Sequence, residues 1–127
     1  MRAVSVLLVG IGGLFGAIAR YAVDTWVSDA TRTSFPLGTL LVNASGSFAL
    51  GLLFALTAER GPLPEELRLP LGVGFLGAYT TFSTFALESL RLAHSGSWTM
   101  AVMNVVGSVL LGLVAVVAGV AVGRAAG

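Results

Sequence analysis

The sequence predicts an all-α membrane protein of four transmembrane helices, with the third interrupted mid-membrane. Three observations point to this fold class. First, 56% of the 127 residues are hydrophobic and only 10% are charged, where a soluble domain carries about 25% charged residues. Second, residues 3–19, 33–58, 69–87 and 95–123 carry no Asp, Glu, Lys or Arg. About 20 apolar residues take a helix across a bilayer core of roughly 30 Å. Third, the centre of the third stretch is crowded with glycine and hydroxyl residues, which weaken a helix. Four crossings use almost the whole chain, so residues 1–127 are expected to form a single transmembrane domain with no soluble part.

The first helix is expected over residues 4–27, with Trp26 as an interface anchor. Arg20 and Asp24 lie four apart near its far end, where they can pair or snorkel. Arg2 and the small residues around Ala17 and Ala19 also resemble a signal peptide. Against that, Gly12 and Gly16 sit one helical turn apart, as in a retained helix packed closely on another. The second helix, residues 36–58, opens on Pro36, which a first turn tolerates. A polar break through Gly61, Pro62 and Pro64 leads to the third helix, residues 69–91. His94 to Ser97 form the last link, and the fourth helix covers residues 98–123, with Arg124 as its stop.

Charge and cysteine usage exclude several classes of function. All seven basic residues are arginine, and six acids leave a formal charge of +1. That balance offers no clustered base for nucleic acid. The absence of Cys removes disulfides, thiolate metal sites and cysteine catalysis. No link has room for a nucleotide site. With four crossings, Arg2, Arg60, Arg68 and Arg124 flank one membrane face, and Arg20, Arg32 and Arg91 the other. Four against three is a weak orienting bias. It suggests that copies insert both ways round, although a small bias or a partner can also fix one orientation.

Polar residues inside a span usually face protein, water or substrate, because hydrocarbon offers them no partner. Thr39, Asn43 and Ser47 share one face of the second helix. Asn104 and Ser108, followed by Gly112, repeat the device on the fourth. Such residues can be helix–helix glue. Two stripes in so small a chain favour an aqueous or ionic path. In the third helix Gly72, Gly74 and Gly77 lead into Tyr79, Thr80, Thr81, Ser83 and Thr84. This pattern predicts an interrupted helix, tolerated where protein or ions satisfy the freed groups. An intact hydroxyl-rich helix is the plainer alternative. Carbonyls released near Gly77 and Thr80 can ligate a bare cation. Phe82 and Phe85 share one side of this helix. Core or lipid packing is the ordinary role for such a pair, but their hydroxyl surroundings allow another. Ring edges are electropositive, and no acid lies mid-span, so the side chains suit an anion better than a cation.

The combination resembles a known family. Gly12-Gly13-Leu14-Phe15-Gly16-Ala17-Ile18-Ala19-Arg20-Tyr21, Gly38-Thr39-Leu40-Leu41-Val42-Asn43 through Gly46, and Gly74-Phe75-Leu76-Gly77 through Thr80-Thr81-Phe82-Ser83-Thr84-Phe85 are together similar to the small bacterial fluoride channels, the camphor-resistance-named family. The similarity covers essentially the entire chain. It implies an antiparallel, dual-topology homodimer with two pores, multi-pass in the bacterial cytoplasmic (inner) membrane. It implies passive export of cytoplasmic fluoride and no catalysis. By the same resemblance Phe82 and Phe85 are the pore phenylalanines, and Asn43 donates to fluoride or orients a ring. The carbonyls of Gly77 and Thr80 hold a structural sodium ion at the dimer centre. Arg20 lies toward a vestibule, Glu88 near a pore mouth, and Ser108 in a polar track. That track often continues with hydroxyls, where this chain has Gly112 and Val116. Thr81 and Ser83 are expected to add donors along the path. A proton-coupled drug exporter is a rival, but it depends on a carboxylate well inside the first helix, and Asp24 stands at the end. A structural subunit that uses its polar residues only as glue is the other.

Overall fold

In a bilayer a helix satisfies its own backbone groups, and helices make up nearly all of the computed structural model, which describes residues 2–127. The long ones are α1 (Ala3–Thr31), α2 (Leu37–Leu56) and α5 (Trp98–Ala126). Each is long and apolar enough to cross a membrane. The remaining crossing is made in two pieces. A 3-10 turn, Glu65–Leu67, leads into a π-helix, Arg68–Leu76, which closes with a single α turn, α3 (Gly77–Tyr79). The chain is then extended at Thr80 and Thr81, and α4 (Phe82–His94) completes the span. The interruption expected in the third helix is therefore present.

The spans end where local chemistry stops them, not where the charges fall. α1 continues four residues past Val27, and in its last turn the Thr31 hydroxyl bonds back to the Val27 carbonyl at 2.8 Å. Arg32, in the left-handed region at φ 48°, then turns the chain. α5 runs through Arg124 to Ala126. An arginine marks the edge of an apolar span but is a good helix former. α2 stops at Leu56. There Arg68 covers its end: Nε donates to Thr57 Oγ1 at 2.7 Å, a terminal nitrogen donates to Phe54 O at 3.1 Å, and the guanidinium lies 4.4 Å from the Phe54 ring centre.

Glycine sets how closely the helices approach. A Cβ on Gly12 would fall onto the Pro70 carbonyl, and one on Gly16 onto that of Phe75. From the other side, a Cβ on Gly74 would sit 2.9 Å from Val9 O and 3.2 Å from Gly12 Cα. Backbone thus meets backbone between α1 and the π-helix. Likewise Gly51 lies against Val116, Gly119 against Phe48, and Gly123 against Leu52 and Ala55, seaming α2 to α5. In both pairs, contacts advance together in sequence. The first and third spans therefore run parallel, as do the second and fourth, as alternating crossings require. The outer faces of α1 and α5 are exposed Val, Leu and Ile, among them Leu7, Ile11, Leu14, Val106, Val109 and Leu113. Such a surface suits lipid.

Arg20 reaches from α1 to the third span. Its Nε donates to the Ala78 carbonyl at 3.2 Å, at the break in the third span. Asp24 is turned toward Gly38 and accepts a bond from Ser28 at 3.4 Å.

Candidate functional site

An unbroken helix through Thr80 would bond each N–H to the carbonyl four residues back. Across the break those bonds are exchanged for others. The Thr81 N–H, whose helical partner would be Gly77 O, donates to Asn43 Oδ1 at 2.7 Å. The Asn43 amide also donates to Thr81 O at 2.9 Å. One side chain of α2 thus clamps both backbone groups of Thr81. The Thr84 N–H, whose partner would be Thr80 O, instead donates to Thr81 Oγ1 at 3.3 Å. Thr81 is therefore the N-cap of α4, a role that favours Thr. Ala78 O takes the Arg20 Nε–H. Among the described residues, the N–H groups of Phe82 and Ser83 find no acceptor.

Two helix ends of opposite polarity meet here. The first half of the span ends in carbonyls and α4 begins in N–H groups, so the break is electronegative on one side and electropositive on the other. On the carbonyl side, Gly77 O and Thr80 O have lost their helical donors to Asn43 and Thr81. Hard carbonyl oxygens of this kind fit a sodium ion. Among the described residues no three His, Cys, Asp or Glu side chains converge into a metal site. On the N–H side stand Phe82 and Phe85, with ring centres 5.8 Å apart and planes tilted by 58°. Phe82 is 79% exposed and Ser83 is exposed beside it. Gly46 makes room for the break, since a Cβ there would strike Thr80 Cγ2.

A groove of about 300 Å³ opens along the break, lined by Asn43, Ser47, Gly77, Thr80, Thr81 and Phe82 among others. All six were singled out from sequence. Ser108 lies apart from the groove, on α5. Its hydroxyl donates to Asn104 Oδ1 at 3.2 Å, so its hydrogen is already engaged. Asn104, only 2% exposed, donates in turn to Ser89 Oγ at 2.9 Å, and Ser89 donates to Phe85 O at 2.8 Å. This chain ties α5 to the turn of α4 that carries Phe85. Ser89 was not singled out from sequence, although its position four residues after Phe85 permits such a back-bond. Glu88 lies in a second recess, of about 410 Å³, with Ser28, Thr33, Phe35, Pro36 and Arg91 near the first link. Its buried Oε1 and the buried Thr39 hydroxyl have no hydrogen-bond partner among the described residues.

Fold and site together define a small multi-pass membrane protein built around a broken span. Its polar groups are set out along a groove, not gathered into an acid–base centre. The family model of the CrcB-like protein, Camphor Resistance (CrcB), matches residues 7–120. The chain belongs to this family. It is 50% identical over 116 residues to the fluoride-specific ion channel FluC of Magnetococcus marinus, an overlap of 91% of this chain and 94% of that one. It is 47% identical over 115 residues to fluoride-specific ion channel FluC 1 of Methanosarcina acetivorans, covering 91% of this chain and 87% of the relative. It is 42% identical over 120 residues to the FluC channel of Chloroflexus aurantiacus, covering 94% and 95%. The family resemblance drawn from the three motifs is thereby established.

Proposed function

We propose that this chain is a fluoride-selective channel that lets cytoplasmic fluoride leave passively, working as an antiparallel dual-topology homodimer with two pores. The observation that carries the reading is the exchange of helix bonds at Thr80 and Thr81. It frees donors at the start of α4 beside two phenylalanine edges, within a membrane span. Proteins 42% to 50% identical over nearly the whole chain carry the name of fluoride channels, which supports the choice of ion.

Fluoride is small and strongly hydrated, so a path must replace its water with close donors while holding it weakly at each step. The anion enters by the recess at the first link, passes Glu88 and the Thr39 hydroxyl, and sheds water toward α4. The free N–H groups of Phe82 and Ser83, the Ser83 hydroxyl and the electropositive ring edges of Phe82 and Phe85 replace that water. Asn43 holds Thr81 in place and keeps one amide hydrogen for the path. Arg20 neutralises a carbonyl at the break and adds positive potential. Ser108 fixes Asn104, and through it the turn that carries Phe85, and so positions a ring without donating to the ion.

Solvent supports the dimer. A groove lined by Ser47, Thr80, Thr81 and the Gly77 backbone cannot face lipid chains. A second copy covers it, and the carbonyls of Gly77 and Thr80 from both copies hold sodium between them, pinning the two breaks together. A cell interior negative by 100 mV drives a unit anion outward with about 2.3 kcal/mol, so a passive channel in the cytoplasmic membrane suffices.

Purified protein in liposomes tests the reading. Vesicles loaded with fluoride should empty rapidly and vesicles loaded with chloride should not. Phe82→Ile should abolish the release while the protein still runs as a dimer. Equal release of both anions would remove fluoride selectivity, and full release by Phe82→Ile would remove that ring from the path.

A further inference from the structure

Several hydroxyls in this protein bond back to a carbonyl of the preceding turn. Thr31 bonds to Val27 O, Ser45 to Val42 O, Thr57 to Leu53 O, Thr80 to Leu76 O and Ser89 to Phe85 O. Such a bond is the cheapest way to satisfy a hydroxyl in an apolar medium. Ser47 does not make one. It sits mid-helix in α2, one turn past Asn43, and forms no hydrogen bond among the described residues. It is half-buried and lines the groove along the break.

On α5, the polar stripe of Asn104 and Ser108 stops at Gly112. The nearest atom to the place a Gly112 Cβ would occupy is Ser47 Oγ, at 3.8 Å. The α2 stripe and the α5 stripe therefore converge, and among the described residues the atom within 4 Å of the Gly112 Cβ position is a hydroxyl from α2. We propose that Ser47 is a donor of the fluoride path, supplying from α2 the hydroxyl that α5 lacks at Gly112. This rests on the fluoride-conduction reading above. The free hydroxyl keeps its hydrogen for an anion passing between the groove and the copy that covers it, whereas Ser108, apart from the groove, has spent its own on Asn104. Asn43, Thr81 and Ser47 all line the groove.

The geometry supplies a clean test, because the gap at Gly112 accepts a side chain. A contact of 3.8 Å is ordinary van der Waals distance, so Gly112→Ser fits without displacing α2. Gly107, one turn or so earlier on α5, has nothing near its Cβ position and serves as the control. Fluoride release from liposomes is measured for the wild type, Ser47→Ala, Ser47→Ala with Gly112→Ser, and Ser47→Ala with Gly107→Ser. Ser47→Ala should slow release about tenfold, the scale of one lost donor. Adding Gly112→Ser should restore most of it, and adding Gly107→Ser should restore none. Unchanged release in Ser47→Ala overturns the inference, as does a loss that Gly112→Ser leaves in place or that Gly107→Ser also repairs. A wild type that releases no fluoride would fail the conduction reading itself, an outcome separate from these.

Discussion

Asn43 is the residue on which the break depends. From sequence it was one of three polar residues on a helix face, with a part in binding or orienting. In the structure it bonds both the N–H and the carbonyl of Thr81. Periodicity fixed its face, but nothing in the sequence named a partner 38 residues away. Removal therefore costs more than one donor to the path. Asn43→Ala should lower stability by about 1–3 kcal/mol, since two partly buried backbone groups lose their partner. Thermal unfolding in detergent measures this, and fluoride release should fall with it; an unchanged midpoint would contradict the clamp. Arg20 was equally opaque. Near the end of an apolar run it reads as a charge that pairs with Asp24 or snorkels, and nothing in the sequence names the Ala78 carbonyl that its Nε reaches on another helix. Phe82 and Phe85 were legible as a pair, because three residues apart on any helix means a shared side.

At the scale of elements, glycine explains both the close seams and the unusual turn geometry. Gly12 and Gly16 were readable as a packing pair, since small residues one turn apart let backbones meet. Their partner, a nine-residue π-helix, was not. The interruption was visible in the hydroxyls of residues 79–84, but a widened helix before it leaves no composition signal beyond glycine and Pro70. π-helices usually occur as single turns and often at functional sites. Here the wide turns bring backbone carbonyls against α1. Gly16→Val should therefore be among the most damaging substitutions outside the groove, because its side chain meets the Phe75 backbone, which cannot swing aside. A cost of about 2–4 kcal/mol is expected from overpacking against main chain. Thermal unfolding reads it, and a wild-type midpoint would mean that the two helices stand further apart. Helix ends were the least legible feature. α5 passes through Arg124 because charge sets membrane depth and leaves the backbone free to continue.

At the scale of the molecule, the contacts order the arginines along the membrane normal. Ser5 and Leu8 of α1 share a recess with Glu65, Glu66 and Arg68, and Gly127 lies against Pro62. The two chain ends and the second link therefore share one face, with Arg2, Arg60, Arg68 and Arg124. The first link shares the other with Arg91 and Arg32. Arg20, held at the break, belongs to neither. Antiparallel pairing requires that both orientations occur, so tags on both termini should be reachable from each side of the membrane in separate copies. Uniform exposure on one side would contradict the dual topology.

Current across a planar bilayer, with fluoride on one side and chloride on the other, measures selectivity at the break most directly. The account predicts that current reverses close to the equilibrium potential of fluoride, because only that anion passes. Reversal set equally by both anions, or no protein-dependent current at all, would contradict it.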